Sequence, residues 1–232
     1  DEYTHEGGNT KLHPSFSDNM ELAYVYRGWL QTVFFCSRTE DAIMKSYQER
    51  ENQCIYVIPE NISSYTQTGI RVHAANLELA SFWKMNLTAI GMYNDYHWTE
   101  QGNKLKNRTF TPIFSSINQF TFTPSWSAEL SASYNGRMAY GQATVHPAFE
   151  MNVGIRKKVF RGKGSVTLFA KDIFDTNWQK VDVRAIGTQA FVDERPNRRV
   201  LGIAFTWRFQ KGSEVEESRR KSEVDETKRV NL

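Results

Sequence analysis

No apolar run approaches eighteen residues anywhere in the 232-residue chain, which excludes a membrane-crossing helix. Cysteine is scarce. Cys36 and Cys54 form neither a metal-ligand spacing nor a disulfide framework, and unpaired thiols are the expectation. Charge of one sign is lacking too: 29 Lys and Arg face 26 Asp and Glu, a balance without the footprint of a nucleic-acid partner. The chain opens at Asp1 with no Met, charged n-region or apolar h-region, so an exported protein is expected here as a mature, trimmed or partial chain.

Catalytic signatures are missing as well. There is no Gly-x-Ser-x-Gly, Walker loop or paired glycine fingerprint. The five histidines, His5, His13, His73, His97 and His146, are scattered without His-x-x-x-His spacing, so neither a metal site nor a cofactor is expected. His97 and His146 fall near expected outer ends of strands, where a convergent Ser-His-Asp site would have to form. A lone histidine near a loop is more often incidental, and no enzyme is expected.

What the chain has is aromatic residues, six Trp, ten Tyr and fifteen Phe, and a pervasive alternation. Over 198–209, Leu201, Ile203, Phe205, Trp207 and Phe209 occupy one parity and Arg198, Val200, Gly202, Ala204, Thr206 and Arg208 the other. Such period-two order describes a strand with one apolar and one wet face, and about 9–11 such residues cross a bilayer when tilted. Trp126 to Asn135, Met20 to Arg27, Phe149 to Arg156 and Ile70 to Ala74 repeat it. Only 84–98 is mixed, because Ile90 and Met92 share a face with Asn86 and Asn94. The aromatics would supply interfacial girdles in a barrel, or the core of a soluble β protein.

Nine strands are expected, at 18–27, 30–47, 66–79, 84–98, 109–122, 126–136, 146–159, 164–172 and 198–209. Tight connections at 28–29, 80–83, 123–125 and 160–163 alternate with long polar ones at 48–65, 99–108, 136–145 and 172–197. Short turns on one side and long loops on the other mark an up-and-down barrel in an outer membrane. Nine strands would close with a like-oriented seam, and an open edge in lipid is costly. The expected fold is therefore all-β, an antiparallel transmembrane β-barrel present in part: a lead-in loop at 1–17, the C-terminal portion of the barrel at 18–210, and a charged periplasmic tail at 211–232. The rival is a soluble, secreted β-sheet module binding a ligand or glycan.

Near the C-terminus the pattern becomes specific. The segment 164–177 runs into Asp172, Ile173, Phe174 and Asp175, and resembles the penultimate strand of TonB-dependent outer-membrane receptors. A long loop and a last strand with a basic start, Arg198–Arg199, and an aromatic end follow, as in that family. The stretch 38–43, Arg-Thr-Glu-Asp-Ala-Ile, is also similar to a recurring segment of the outer-membrane β-barrel branch. The resemblance implies a bacterial outer-membrane receptor for nutrient uptake, with outer-membrane lipid, the barrel assembly machinery, a plug domain and the TonB energy-coupling protein as partners. It also implies that Phe205, Trp207 and Phe209 close the barrel and signal assembly, although residues 210–232 follow the aromatic end here. Nothing in the chain resembles the plug or the TonB-contacting box, so it is not expected to transport alone.

Tyr93, Tyr96, Trp98, Trp178 and Phe191 fall near expected outer loops, and Tyr96, Trp98 and Trp178 are the candidate ligand contacts, against a girdle role. Glu21, Arg27, Arg71, Glu129, Glu150, Arg156 and Arg208 fall on the wet parity, where a solvated lumen accounts for charge. Glycosylation sequons at Asn61, Asn86 and Asn107 go unused in a bacterial protein.

Overall fold

The structure is a computed structural model that describes residues 4–50, 54–61, 64–100, 102–185, 188–194 and 199–209. Its strands, in chain order, are β1 (Thr4–Glu6), β2 (Phe16–Tyr26), β3 (Leu30–Glu40), β4 (Ile43–Arg50), β5 (Cys54–Asn61), β6 (Ser64–Ala80), β7 (Trp83–Glu100) and β8 (Asn103–Thr121). They continue with β9 (Trp126–Asn135), β10 (Met138–Tyr140), β11 (Ala143–Val145), β12 (Ala148–Val159), β13 (Gly164–Lys171), β14 (Gln179–Ala185), β15 (Thr188–Glu194) and β16 (Val200–Trp207).

Nine of these form one antiparallel sheet in the order β16-β13-β12-β9-β8-β7-β6-β3-β2, an open meander with β2 and β16 at its edges. The registers place Met20, Leu22, Phe34, Phe110, Phe114, Ile155, Leu168, Leu201, Ile203 and Phe205 on one face, where all are exposed. The opposite face carries Glu21, Arg71, His73, Glu129, Glu150, Asn152 and Arg156. Large apolar groups exposed on one side over the middle of the strands, with charge on the other side at that height, fit a wall between lipid and a watery lumen.

One row interrupts the polarity of the inward face: Val33, Ile90 and Ile113 lie in line across β3, β7 and β8, with Arg71 of β6 between Val33 and Ile90. That row explains the mixed pattern of 84–98, since β7 is apolar on both sides over its middle.

Aromatic residues bound the lipid-facing band. At the short-turn end, Trp83 stacks on Phe120 (5.6 Å), Phe120 on Phe122 (6.1 Å) and Phe82 on Phe122 (6.5 Å), and the Lys157 ammonium sits 4.9 Å above the Trp126 ring. Toward the other end, Tyr93 pairs with Phe110, each ten residues along its strand from the Trp83–Phe120 pair. Ten residues at ~3.4 Å each, tilted by about 40°, give a height of roughly 26 Å, close to the apolar band of outer-membrane barrels. Asn118 faces outward in this band, and its carboxamide oxygen accepts the Trp83 indole N–H at 3.1 Å. That contact keeps a polar group facing lipid from going unsatisfied.

The tight turns are built for their task. Arg27 and Gly28 both have positive φ (48° and 71°), and the Trp29 N–H donates to the Tyr26 carbonyl at 3.2 Å. Two left-handed central residues match the twist of the strands they join.

The long connections differ from expectation. The strand expected over 30–47 ends at Glu40; Asp41 takes φ 50° and redirects the chain into the β4–β5 hairpin, which β1 joins in parallel. The lead-in 1–17 thus contributes a strand, and Phe16 and Ser17 already belong to the wall. The expected loop 99–108 is the continuation of β7 and β8, paired up to Glu100–Asn103. Polar side chains on both faces hid that extension, which rises beyond the lipid band. The connections 136–145 and 172–197 hold a second satellite sheet, β10-β11-β14-β15. The tail 211–232 lies outside the described residues. Cys36 is a free thiol on the outward face.

Candidate functional site

The two satellite sheets sit at the long-connection end and form a roof over the inward face. One side of β8 holds the β10-β11-β14-β15 sheet. Asn107, Thr109 and Thr111 alternate inward on β8, and each bonds the incoming segment. The Asn107 carboxamide donates to the carbonyls of Gly141 (3.0 Å) and Ala143 (2.9 Å). Thr109 Oγ1 accepts the Ala139 N–H at 2.6 Å, and the Thr111 hydroxyl donates to the Arg137 carbonyl at 2.8 Å. Asn94 and Gln67 extend the row, with Gln67 donating to Asn94 (2.9 Å) and Asn94 to Thr111 (3.1 Å). Gln142 links the two roof sheets by accepting the Tyr47 N–H on Oε1 at 3.0 Å.

An apolar cluster sits under these bonds: Ala42, Met44, Tyr96, Trp98 and Ala139, flanked by Tyr65 and Leu105. Tyr96 is sealed in it, stacked on Tyr65 at 5.1 Å. Burial also pushes the neighbouring Tyr47 phenol above its ordinary value. Trp98 is 8% exposed, and its indole N–H is buried with no acceptor among the described residues.

Two clefts flank Trp98. One, of about 290 Å³, is lined by Asp41, Lys45, Ser46, Glu60, Asn61 and Gln142, among others. The second, of about 260 Å³, is lined by Leu105, Lys106, Asn107, Gln142, Thr144 and Arg184. Both offer amides around one indole; the first adds charges of both signs and the second only the cations Lys106 and Arg184. Below them, a trough of about 660 Å³ runs along the inward face past Gln119, Glu129, Asn152 and Arg156. No cluster of three or more metal-ligating side chains occurs among the described residues.

The structure brings Tyr96 and Trp98 together, one in the packing and the other at the clefts. Trp178 stands apart just before β14, with the Lys180 ammonium 4.6 Å over its ring. Gln142, Asn107 and Met44 were not anticipated. The period-two row Asn107, Thr109, Thr111 was a readable signal, hidden because Asn107 and Thr109 also spell a sequon. All three sequon asparagines are used internally: Asn61 donates to the carbonyls of Asp41 and His13, and Asn86 accepts the Asn76 N–H.

The motif after the penultimate strand is a turn cap. Asp172 is buried at φ 45°, and its carboxylate accepts the N–H groups of Thr176 (3.0 Å) and Asn177 (3.1 Å). Its own N–H donates to Asn152 Oδ1 at 2.9 Å, and the Asp175 N–H closes the turn onto the Asp172 carbonyl at 2.9 Å. Glu150 receives both Asn152 (2.9 Å) and Asn177 (2.7 Å). Phe174 projects outward, 6.1 Å from Phe149. On the last strand, Trp207 lies between Phe160 (5.0 Å), Phe205 (6.1 Å) and Phe209 (6.2 Å) in the aromatic ring at the short-turn end.

A lipid-facing band between two aromatic levels, a wet inward face, and tight turns opposite a built roof define an outer-membrane β-barrel protein. The chain belongs to the outer membrane protein beta-barrel family, whose model matches residues 1–207, and it resides in the bacterial outer membrane. The soluble, secreted alternative is thereby overturned. No curated protein and no solved structure matches the chain.

Proposed function

We propose that this chain is the C-terminal wall and outer roof of a TonB-dependent receptor that takes up a nutrient. The observation that carries this reading is the pair of clefts around Trp98, set above a polar trough on the inward face. Clefts of this size suit a small polar ligand or one unit of a larger one. The Trp98 N–H, buried and unpaired, offers a donor to such a ligand, since a buried polar group without a partner is uncommon in a structure with no role for it.

In this reading the roof captures the ligand together with a plug domain. Energy passed from the inner membrane by the TonB protein then shifts the plug, and the ligand descends past Asn152, Glu129 and Arg156. The chain supplies wall, lumen lining and capture surface, without a catalytic step or cofactor of its own. Outer-membrane lipid and the barrel assembly machinery are its other partners, and nucleic acid is not among them. Asp172, Phe174 and Asp175 shape the outer end of the penultimate strand, and Phe205, Trp207 and Phe209 close the barrel and guide assembly.

The test is a deletion of the intact gene in its host, complemented by wild type, by Trp98→Ala, or by wild type in a strain lacking the energy-coupling protein. Depletion of nutrients from a defined mixture is then followed. The reading expects at least one compound to be spared in the deletion and in the uncoupled strain, and to be taken up more slowly with Trp98→Ala. Uptake of every compound unchanged in the uncoupled strain would overturn it.

A further inference from the structure

The outward face of β8 changes chemistry at the top of the lipid band. Below it stand Phe114, Pro112 and Phe110; above it, in the same parity, stand Arg108, Lys106 and Lys104. All three cationic residues are exposed, and from Arg108 to Lys104 the series extends about 13 Å along the strand. Arg108 is committed: its Nε donates to Asp95 at 2.7 Å, and Asp95 also meets His97 at 2.8 Å. Arg38, on the same face three strands away, is paired with Glu40 at 3.0 Å. Lys104 and Lys106 have no acidic partner among the described residues. They stand next to Thr99 and His97 on β7.

By strand parity both lysines project to the outward face, although Lys106 also borders the second cleft beside Trp98. They stand immediately outside the Tyr93–Phe110 level, at the height of lipid headgroups. The roof lies at the same end, and long connections mark the outer side of such barrels. We propose that Lys104 and Lys106, supported by Arg108, bind the phosphate groups of a phosphorylated glycolipid of the lipid A class in the outer leaflet. The acyl chains lie against Phe110 and Phe114, and the ammonium groups neutralise the phosphates above. The complementarity is of charge and of height: an apolar wall beneath, and two unpaired cations where the anionic headgroup sits. This inference rests on membrane location and strand parity, and stands whether or not the receptor reading does.

The test uses the intact outer-membrane protein purified in detergent and placed in nanodiscs of neutral lipid doped with bis-phosphorylated lipid A. Native mass spectrometry counts the lipid A retained. The double variant Lys104→Gln, Lys106→Gln is expected to bind about 25-fold more weakly, roughly fivefold per lysine. Lys104→Arg, Lys106→Arg should retain binding, and Lys157→Gln with Lys163→Gln, at the other end of the wall, should leave it unchanged. Dephosphorylated lipid A should bind wild type as weakly as the double Gln variant does. Inorganic phosphate at millimolar concentration should not displace the lipid. Equal retention by wild type and the double Gln variant, or equal binding of the dephosphorylated lipid to wild type, overturns the proposal, as does displacement by free phosphate.

Discussion

The Ala139 N–H donates to the Thr109 hydroxyl at 2.6 Å, joining a roof strand to a wall strand thirty residues away in sequence. Ala139 is almost wholly buried, so no water can replace the acceptor. Thr109→Val keeps the shape and removes the acceptor, at a cost of about 1–3 kcal/mol for the orphaned donor. The effect should be local. Hydrogen exchange is expected to quicken over 137–145 while the protection of β12 and β13 is unchanged, and Thr109→Ser should behave as wild type.

Asp172 combines a left-handed backbone with two accepted N–H bonds. Asp172→Ala loses both bonds and strains the turn, for an expected loss of about 2 kcal/mol. Asp172→Asn keeps one acceptor and tolerates the conformation, so it should lose less. Urea unfolding of the protein in micelles, followed by tryptophan fluorescence, checks the order.

Two glycines accept aromatic rings from the neighbouring strand, with different freedom to change. A Cβ at Gly69 would stand 2.5 Å from the Gly91 carbonyl oxygen, a backbone atom that cannot step aside. A Cβ at Gly202 would first meet the Phe169 ring, at 2.3 Å, and a ring can rotate. Gly69→Ala is therefore expected to reduce the folded, heat-modifiable band on electrophoresis more severely than Gly202→Ala, with strain of about 1–3 kcal/mol at Gly69.

Glu6 and Lys45 form an exposed pair at 2.8 Å in the β1-β5-β4 sheet. The Lys45 ammonium holds the Glu6 carboxyl below its ordinary 4.5, and Glu6 raises Lys45 in turn. The depressed acid contributes above its ordinary value and ceases to contribute as pH falls through its folded one. The raised base contributes below its ordinary value and ceases to contribute as pH rises through its folded one. The pair is thus intact across neutral pH. NMR titration of Glu6 should show a midpoint below 4.5 that returns to the ordinary value in Lys45→Gln and also at high salt.

Trp207 packs against Phe160 at 5.0 Å, and its ring lies 3.2 Å from where a Cβ on Gly164 would stand. Trp207→Ala removes the centre of the aromatic group at the end of the last strand, at about 3 kcal/mol for so large a side chain. A lower yield of folded protein in the outer membrane is expected, with more degradation in the periplasm. Trp207→Phe should restore most of it.

The wall was legible in the sequence because lipid on one side and water on the other impose a period of two on every strand. Leu201 to Trp207 reads directly as the outward row that the registers place there. Above the apolar band that constraint ends. Lys104 to Arg108 faces a polar environment on one side and the roof on the other, so it reads as a polar loop although it is strand. The roof strands β10 and β11 are three residues each, too short for a period to register. The boundary between β3 and β4 was missed because the alternation continues through it, and only the left-handed Asp41 interrupts the backbone. Trp98 was visible as an aromatic near a loop. Its neighbours Gln142 and Asn107 were not, because their role depends on segments brought together from distant parts of the chain.

The open sheet also fixes the arithmetic of whatever completes it. Both of its edges, β2 and β16, run from the roofed end toward the turn end, since Phe16 pairs with Glu40 and Trp207 with Gly164 beside the 160–162 turn. Two descending borders cannot be sutured to each other in antiparallel fashion. The missing arc must begin and finish with an ascending strand, so it contains an odd number of strands, whatever its length or origin.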